Sequence, residues 1–213
     1  MKIKIVIFTL IVFLIGFIYL TINVLNGQMQ PFNNTIYNQV ALWINPILTN
    51  IMIIISCAGE WFIYLPIALL FLIIPKSRLK IGLPVTLTLL VTAFLNIVLK
   101  HVFAIARPDI HRLISETGYG YPSGHAMNGT VFIGLCAYMF IKYSHKRALK
   151  IILTTLSLVL MLTLGFSRIY LGVHNPTDIL AGYLAGIVIL TLAILILHYK
   201  QIFIKYFYIS KKS

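Results

Sequence analysis

The sequence predicts an all-α polytopic membrane protein, a bundle of six transmembrane helices that forms a single domain over residues 1–213. Composition is the first reason: 60% of the residues are hydrophobic, 10% are charged and the mean hydropathy is +0.98, values outside the range of a water-soluble globular domain. Length is the second, because a bilayer core about 30 Å thick needs roughly 20 apolar residues per helix. Six segments of suitable length lie near residues 5–25, 50–74, 81–99, 124–141, 151–167 and 179–199.

The first span follows Lys2 and Lys4, a pattern that signal peptides and membrane anchors share. Its apolar run extends from Ile5 to Leu25 without a small-residue cleavage site. We therefore expect an uncleaved signal anchor, with a cleaved signal peptide as the alternative.

The net charge is +13, and the positions of the basic residues predict the membrane topology. Thirteen of the seventeen basic residues fall on one side of the six-span arrangement: Lys2, Lys4, Lys76, Arg78, Lys80, Lys142, Lys146, Arg147, Lys150, Lys200, Lys205, Lys211 and Lys212. The other side carries four basic residues and all four acids, namely Lys100, Arg107, Arg112, Arg168, Glu60, Asp109, Glu116 and Asp178. The positive-inside rule makes the basic side cytoplasmic, so both termini are expected in the cytoplasm. Because topology accounts for the excess charge, nucleic acid is not an expected partner.

The segment 26–50 contains no charged residue and combines Pro31, Tyr37 and Trp43 with several asparagines. This composition predicts an interfacial loop or a short amphipathic helix on the outer membrane surface. Cys57 and Cys136 lie in apolar spans and are expected to act as small hydrophobic side chains. With four acids and no clustered Cys/His spacing, no metal site is expected.

Outer polar residues concentrate in segments 100–125 and 167–178. In the first, Lys100 and Arg107 are seven residues apart, or about two turns if the helix continues, so both would project from one face before Pro108 stops it. The alternative is a pair of cations that extend from the membrane edge to water.

The stretch "YPSGHAMNG" reads as the start of span four, with Ser123 as N-cap and Gly124 and His125 as the first helical residues. Unpaired N–H groups and the positive end of the dipole make such a start an anion site, and glycine allows an oxyanion to approach closely. An ordinary capped helix with an interfacial histidine is the alternative.

The stretch "SRIYLGVHNPTD" ends in residues that are typical of a helix N-terminus. Asn175 would be the N-cap, Pro176 the first helical residue, and Asp178 lies three residues past the cap. In that geometry Asp178 can reach back to His174. An acid that orients one imidazole nitrogen leaves the other free as nucleophile or base. The alternative is an acid that stabilises the helix dipole beside a loop histidine.

Together the three stretches supply cations, a backbone anion site and two histidines. These are the groups that phosphoryl transfer through a phosphohistidine requires. The patterns K-x6-R-P, P-S-G-H and S-R-x5-H-x3-D resemble the three-part signature of the type-2 phosphatidic acid phosphatase superfamily. Their eleven specified positions are Lys100, Arg107, Pro108, Pro122, Ser123, Gly124, His125, Ser167, Arg168, His174 and Asp178.

The resemblance implies His174 as nucleophile, Asp178 as its orienting acid and His125 as general acid. It implies that the phosphate is held by the remaining charged positions and the helix start: Lys100, Arg107, Arg168, Ser123 and the Gly124 amide. It implies no metal and no cofactor. The superfamily also includes soluble vanadium-dependent haloperoxidases, but the spans favour a lipid phosphatase whose partners are the bilayer and a lipid phosphate. No protein partner is implied.

Similar bacterial enzymes act on undecaprenyl diphosphate, phosphatidylglycerophosphate, phosphatidic acid or lipid A phosphates, and we favour the first two. Residues that could contact a head group are His111, Arg112, Tyr119, Tyr121 and Tyr170, although interfacial residues need no such role. Glu60, near the outer end of span two, is a functional candidate because an acid in a span is costly, but it could simply reach water.

Two other classes of function remain open at this point. A lipid transporter or flippase would need polar residues deep in several spans, and few are present, among them Asn96. A non-catalytic receptor for anionic lipids is disfavoured because His125, His174 and Asp178 are all present.

Overall fold

The computed structural model describes the backbone of residues 3–210 and the side chains of residues 3–199. Within these ranges every long element is helical: α1 (Ile3–Leu25), α2 (Gln30–Ala41), α3 (Pro46–Ala58), α4 (Trp61–Ile73), α5 (Leu83–Phe103), α6 (Gly124–Tyr143), α7 (Arg147–Tyr170) and α8 (Pro176–Ser210). A π-helical turn, Arg78–Gly82, leads into α5. The all-α prediction is confirmed.

Among the described residues, five helices are long and apolar enough to cross a bilayer, and α3 with α4 make a sixth span if the bent pair is counted as one. The second span is therefore not the continuous helix that the window 50–74 suggested. α3 and α4 meet at a bend of 41°, since Gly59 ends the first and Glu60 has an extended backbone before the second.

The segment 26–50 divides between a surface helix and the second span. α2 has Pro31 in its first turn, which confirms the short-helix alternative for this part of the segment. α3 begins at Pro46, where the Asn45 side chain accepts a hydrogen bond from the Leu48 amide at 3.0 Å. Residues 46–50 therefore belong to the second span.

Small residues bring α6 and α8 close together. A Cβ at Gly182 of α8 would lie 2.7 Å from the Ala126 Cβ and from the Ser123 carbonyl oxygen, so only glycine allows this spacing. The Ser123 amide also donates to the Asp178 carbonyl at 3.0 Å. The first turns of the two helices are thus fixed side by side.

The loop 104–123 and the loop 171–175 meet at the end of the bundle where α6 and α8 begin. The Leu113 amide donates to the Leu171 carbonyl at 3.0 Å, which joins the two loops. Away from this end, large aliphatic side chains are exposed along α1, α5 and α7, as expected for surfaces that face lipid. Cys57 is exposed on this apolar surface and Cys136 is partly buried.

Candidate active site

Lys100 and Arg107 do not share a helical face, because α5 ends at Phe103. Ala104 takes a left-handed conformation, with φ of 50°, and its amide caps the helix by donating to the Lys100 carbonyl. The helix therefore does not continue to Pro108, which was the condition for the two cations to share a face. The chain turns four residues earlier and carries Arg107 on the loop.

Both cations are nevertheless held at the same end of the bundle, by backbone carbonyls of the loops 104–123 and 171–175. The Lys100 ammonium donates to the Tyr119 carbonyl and, at 3.3 Å, to that of Gly120. The Arg107 guanidinium donates to the Gly118 carbonyl at 3.2 Å and to the Val173 carbonyl at 3.0 Å. These contacts fix each charge in position without neutralising it.

α6 begins at Gly124, as predicted, with Ser123 at the N-cap position. The Ser123 hydroxyl makes no capping hydrogen bond, so that part of the prediction is wrong. Its Oγ is fully buried and has no partner among the described side chains. A buried hydroxyl without a partner is costly, and it is available to donate to an anion at the start of α6.

His174 and Asp178 form the predicted pair at the start of α8. Nδ1 of His174 lies 3.2 Å from Oδ2 of Asp178, which also accepts from the Asn175 amide at 2.9 Å. Nε2 of His174 lies 3.2 Å from Nη1 of Arg107. Since arginine only donates and a carboxylate only accepts, these partners assign the proton to Nδ1 and a lone pair to Nε2.

The surroundings of His174 also favour the neutral imidazole. Its side chain is 2% exposed, and burial holds its pKa well below the ordinary value of 6.5. The positive charges of Arg107, Lys100 and Arg168 act in the same direction. A neutral ring with a free lone pair is the form that can attack phosphorus.

Arg168, in the last turn of α7, is almost completely buried and contacts two side chains that the sequence analysis did not assign to the site. Nη1 donates to the Ser56 hydroxyl of α3, and Nη2 pairs with the Glu116 carboxylate. The second oxygen of Glu116 lies 3.5 Å from Nη2 of Arg107. Glu116 therefore bridges two of the three predicted phosphate-binding cations. Its only signal in the sequence was its place among four acids.

His125, in the first turn of α6, lies against the break between α3 and α4. Its Nε2 is 3.3 Å from Oε1 of Glu60, an ion-pair distance without the alignment of a good hydrogen bond. Glu60 thus contacts a predicted site residue, although its side chain is also 28% exposed.

Two of the tyrosines suggested as head-group contacts are structural. Tyr121 is fully buried, its hydroxyl lies 2.8 Å from that of Thr21, and burial raises its pKa to about 12. Tyr170 is also fully buried and accepts from the Asn45 amide at 3.1 Å. Tyr119 and Arg112 remain exposed at the loop surface.

No group of three histidine, cysteine or acidic side chains in the described part of the chain is arranged to hold a metal ion. The polar groups that converge here are instead donors to an anion beside a neutral histidine, an arrangement suited to binding and transferring a phosphoryl group.

Known proteins resemble this chain in sequence and in fold. The PAP2 superfamily model matches residues 81–202. Undecaprenyl-diphosphatase of Sulfolobus acidocaldarius is 30% identical over 189 residues, which are 83% of this chain and 84% of that protein. Phosphatidylglycerophosphatase B of Bacillus subtilis is 36% identical over 100 residues, so the match spans about half of either chain, 45% of this one and 47% of that one.

A solved structure agrees with the sequence matches. The crystal structure of the first transmembrane PAP2 type phosphatidylglycerolphosphate phosphatase from Bacillus subtilis superposes with a TM-score of 0.80 and 27% identity, covering 87% of this chain and 94% of that one. This chain belongs to the PAP2 superfamily and is a phosphatase embedded in the membrane by its helices.

Proposed function

We propose that the protein removes a phosphate from a membrane lipid through a phosphohistidine on His174. The carrying observation is the pair of contacts on that ring: Asp178 on Nδ1 and Arg107 on Nε2. A phosphate oxygen that replaces Nε2 as the acceptor for Arg107 would bring its phosphorus next to the nitrogen lone pair. Binding and alignment for attack are then the same event.

The phosphate is held, in this proposal, by Lys100, Arg107 and Arg168 together with the Ser123 hydroxyl and the Gly124 amide. The Ser123 hydroxyl and Nε of Arg168 support this, because both are buried donors without a partner among the described residues. Glu116 shares its carboxylate between two of the arginines, so an incoming phosphate must displace or share it.

His125 completes the reaction as general acid and base. As the bond from Nε2 of His174 to phosphorus forms, the bond to the leaving oxygen breaks and His125 gives that oxygen its proton. Water then attacks the phosphohistidine, His125 takes the proton from the water, and the N–P bond breaks to release inorganic phosphate. Asp178 stabilises the positive charge that His174 carries between the two steps.

The substrate we favour is undecaprenyl diphosphate or phosphatidylglycerophosphate, with phosphatidic acid as a further candidate. The support is the identity of the relatives that match this chain: one is an undecaprenyl-diphosphatase and another a phosphatidylglycerophosphatase. The host membrane would be the inner membrane of a bacterial cell.

Phosphate release tests the proposal. Purified protein in detergent is given each lipid with excess chelator, and we expect catalytic release of inorganic phosphate that Arg168→Gln reduces. Lipid binding without release would indicate an anionic-lipid receptor. Vectorial movement of intact lipid in vesicles, again without release, would indicate a flippase.

The site is proposed to face outward, with both termini in the cytoplasm. Basic residues on the opposite side of the spans support this orientation. In a background without Cys57 and Cys136, an impermeant thiol reagent added to intact cells should label Ser115→Cys and not His145→Cys. Both positions are exposed on loops, so the reverse pattern would overturn the orientation.

A further inference from the structure

We propose that Glu60 is the positioning residue of His125, which it holds with Nδ1 toward the leaving oxygen and in the protonated form needed to cleave poor leaving groups. The inference rests on the proposed phosphohistidine mechanism. It assigns a function to the break between α3 and α4, which lies outside the three sequence patterns.

The contact itself joins two distant parts of the chain. Oε1 of Glu60 lies 3.3 Å from Nε2 of His125, and their side chains are 28% and 11% exposed. In this partly dehydrated setting a carboxylate interacts more strongly with an imidazolium than it would in water. An acid within a membrane span is also costly unless it has a partner, and His125 is that partner.

The backbone at the break is shaped to allow the contact. A Cβ on Gly59 would lie 2.8 Å from Cδ2 of His125 and 2.9 Å from Cδ2 of Leu164, so the imidazole packs against a surface that only glycine offers. The helix ends there, and Glu60 has the extended backbone, with ψ of 150°, that precedes α4. A continuous second span would give neither feature.

The two acids then contact different nitrogens of their histidines. The acid on His174 occupies Nδ1 and leaves Nε2 to attack phosphorus. The acid on His125 lies 3.3 Å from Nε2, so in this proposal Nδ1 is the atom that donates to the leaving oxygen. Glu60 itself neither gains nor loses a proton: His125 gives its proton to the leaving group and regains one from the attacking water, and the carboxylate stabilises the imidazolium before and after.

The leaving group distinguishes this role from a merely structural one. A phosphate monoester such as phosphatidic acid expels an alkoxide that must be protonated, whereas a diphosphate expels a phosphate, which is a better leaving group. General acid catalysis is typically worth about 10² to 10⁴ in rate. A weakened acid should therefore slow the monoester more than the diphosphate.

The experiment compares kcat for phosphatidic acid and for an isoprenoid diphosphate in the same preparation, so the ratio is independent of the fraction folded. For Glu60→Gln we expect kcat on the monoester to fall by about 10-fold or more and kcat on the diphosphate by less than about 3-fold, with KM little changed. Glu60→Asp should recover part of the loss. Asp109→Asn, which removes an acid from a fully exposed position on the loop 104–123, should leave the ratio at its wild-type value.

A double variant tests whether Glu60 acts through His125. In a His125→Ala background, Glu60→Gln should cause no additional loss on either substrate, because the group it positions is gone. Equal losses on both substrates, an unchanged ratio, or a full additional loss in the double variant would overturn the role of Glu60. A wild-type protein that releases no phosphate from these two lipids or from phosphatidylglycerophosphate would instead overturn the proposed function.

Discussion

Two walls of the site differ in how their side chains are held. On the wall that carries His174, backbone groups of the same wall hold the side chains. The wall at the break between α3 and α4 contributes side chains that contact residues of distant helices. On the first, which we term the motif wall (residues 104–123 and 171–178), Asp178 accepts from the Asn175 amide three residues away. On the second, the span-two wall (residues 56–60), Ser56 accepts from an arginine 112 positions along the chain.

The difference separates two tasks in the proposed mechanism. The motif wall holds the nucleophile and Arg107 and fixes the Lys100 ammonium through its carbonyls, so it sets whether the reaction occurs. The span-two wall orients groups that belong to other helices, so it adjusts how fast the reaction runs and on which leaving group. Substitutions on the motif wall should therefore have the larger effects.

Replacing the nucleophile should have the largest effect. In His174→Gln we expect phosphate release to fall by at least about 10⁴-fold, since the loss of a nucleophile removes the covalent route. Rapid quenching of the wild-type protein should trap an acid-labile, base-stable phosphoenzyme that the variant lacks. Wild-type activity in His174→Gln would exclude this mechanism and remove the distinction between the walls.

Asp178→Asn should rank next. The amide can still accept from the Asn175 N–H but carries no charge to stabilise a phosphorylated imidazole, and it can favour the wrong tautomer. We expect kcat to fall by about 10³- to 10⁴-fold, up to the loss found when a triad acid is made an amide. The residues proposed to hold the phosphate are untouched, so KM should change little. A large rise in KM with kcat retained would mean that Asp178 serves binding.

The motif wall was largely predictable from the sequence because its geometry is local. The capping pattern around Pro176 placed His174 and Asp178 together, and the structure confirms that pair. Arg107 does not share a helical face with Lys100, because Ala104 takes a left-handed conformation and ends the helix. Alanine rarely takes this conformation, so the sequence gives no sign of it.

The span-two wall was not predictable in the same way. Glu60 was a candidate only because an acid in a span is costly, and Ser56 was not assigned to the site. Glu116, on the motif wall, was missed in the same way. The contacts of Ser56 and Glu116 with Arg168 cross 112 and 52 positions of the chain, so they depend on how the helices pack. A single hydropathy window also conceals the bend of 41° that brings this wall to His125.

The charge of Arg107 should be visible in the pH dependence. Neutral His174 is the reactive form, so activity is lost as pH falls through its pKa, which burial and then Arg107 hold well below 6.5. Arg107→Gln removes one of these causes, and the acid limb of kcat/KM should move upward by about one pH unit, besides a fall in rate. Arg112→Gln, the same change on the exposed part of the loop, should leave the limb in place. An unmoved limb in Arg107→Gln would show that Arg107 does not lower the pKa of His174, and would leave burial and the other cations as its causes.

The smallest effect is expected from Ser56→Ala, which tests the span-two wall without touching either histidine. The variant deprives Nη1 of Arg168 of its acceptor, so the guanidinium is less well held for the phosphate. We expect kcat/KM to fall by about 3- to 10-fold, the worth of a single hydrogen bond, mainly through KM and equally for monoester and diphosphate substrates. Ser157→Ala is the matched control, because that hydroxyl donates to Leu153 within its own helix at 2.7 Å. A loss in Ser56→Ala as large as that in Asp178→Asn would show that the span-two wall holds the reaction as firmly as the motif wall, since a positioning contact through one hydroxyl cannot account for a loss of that size.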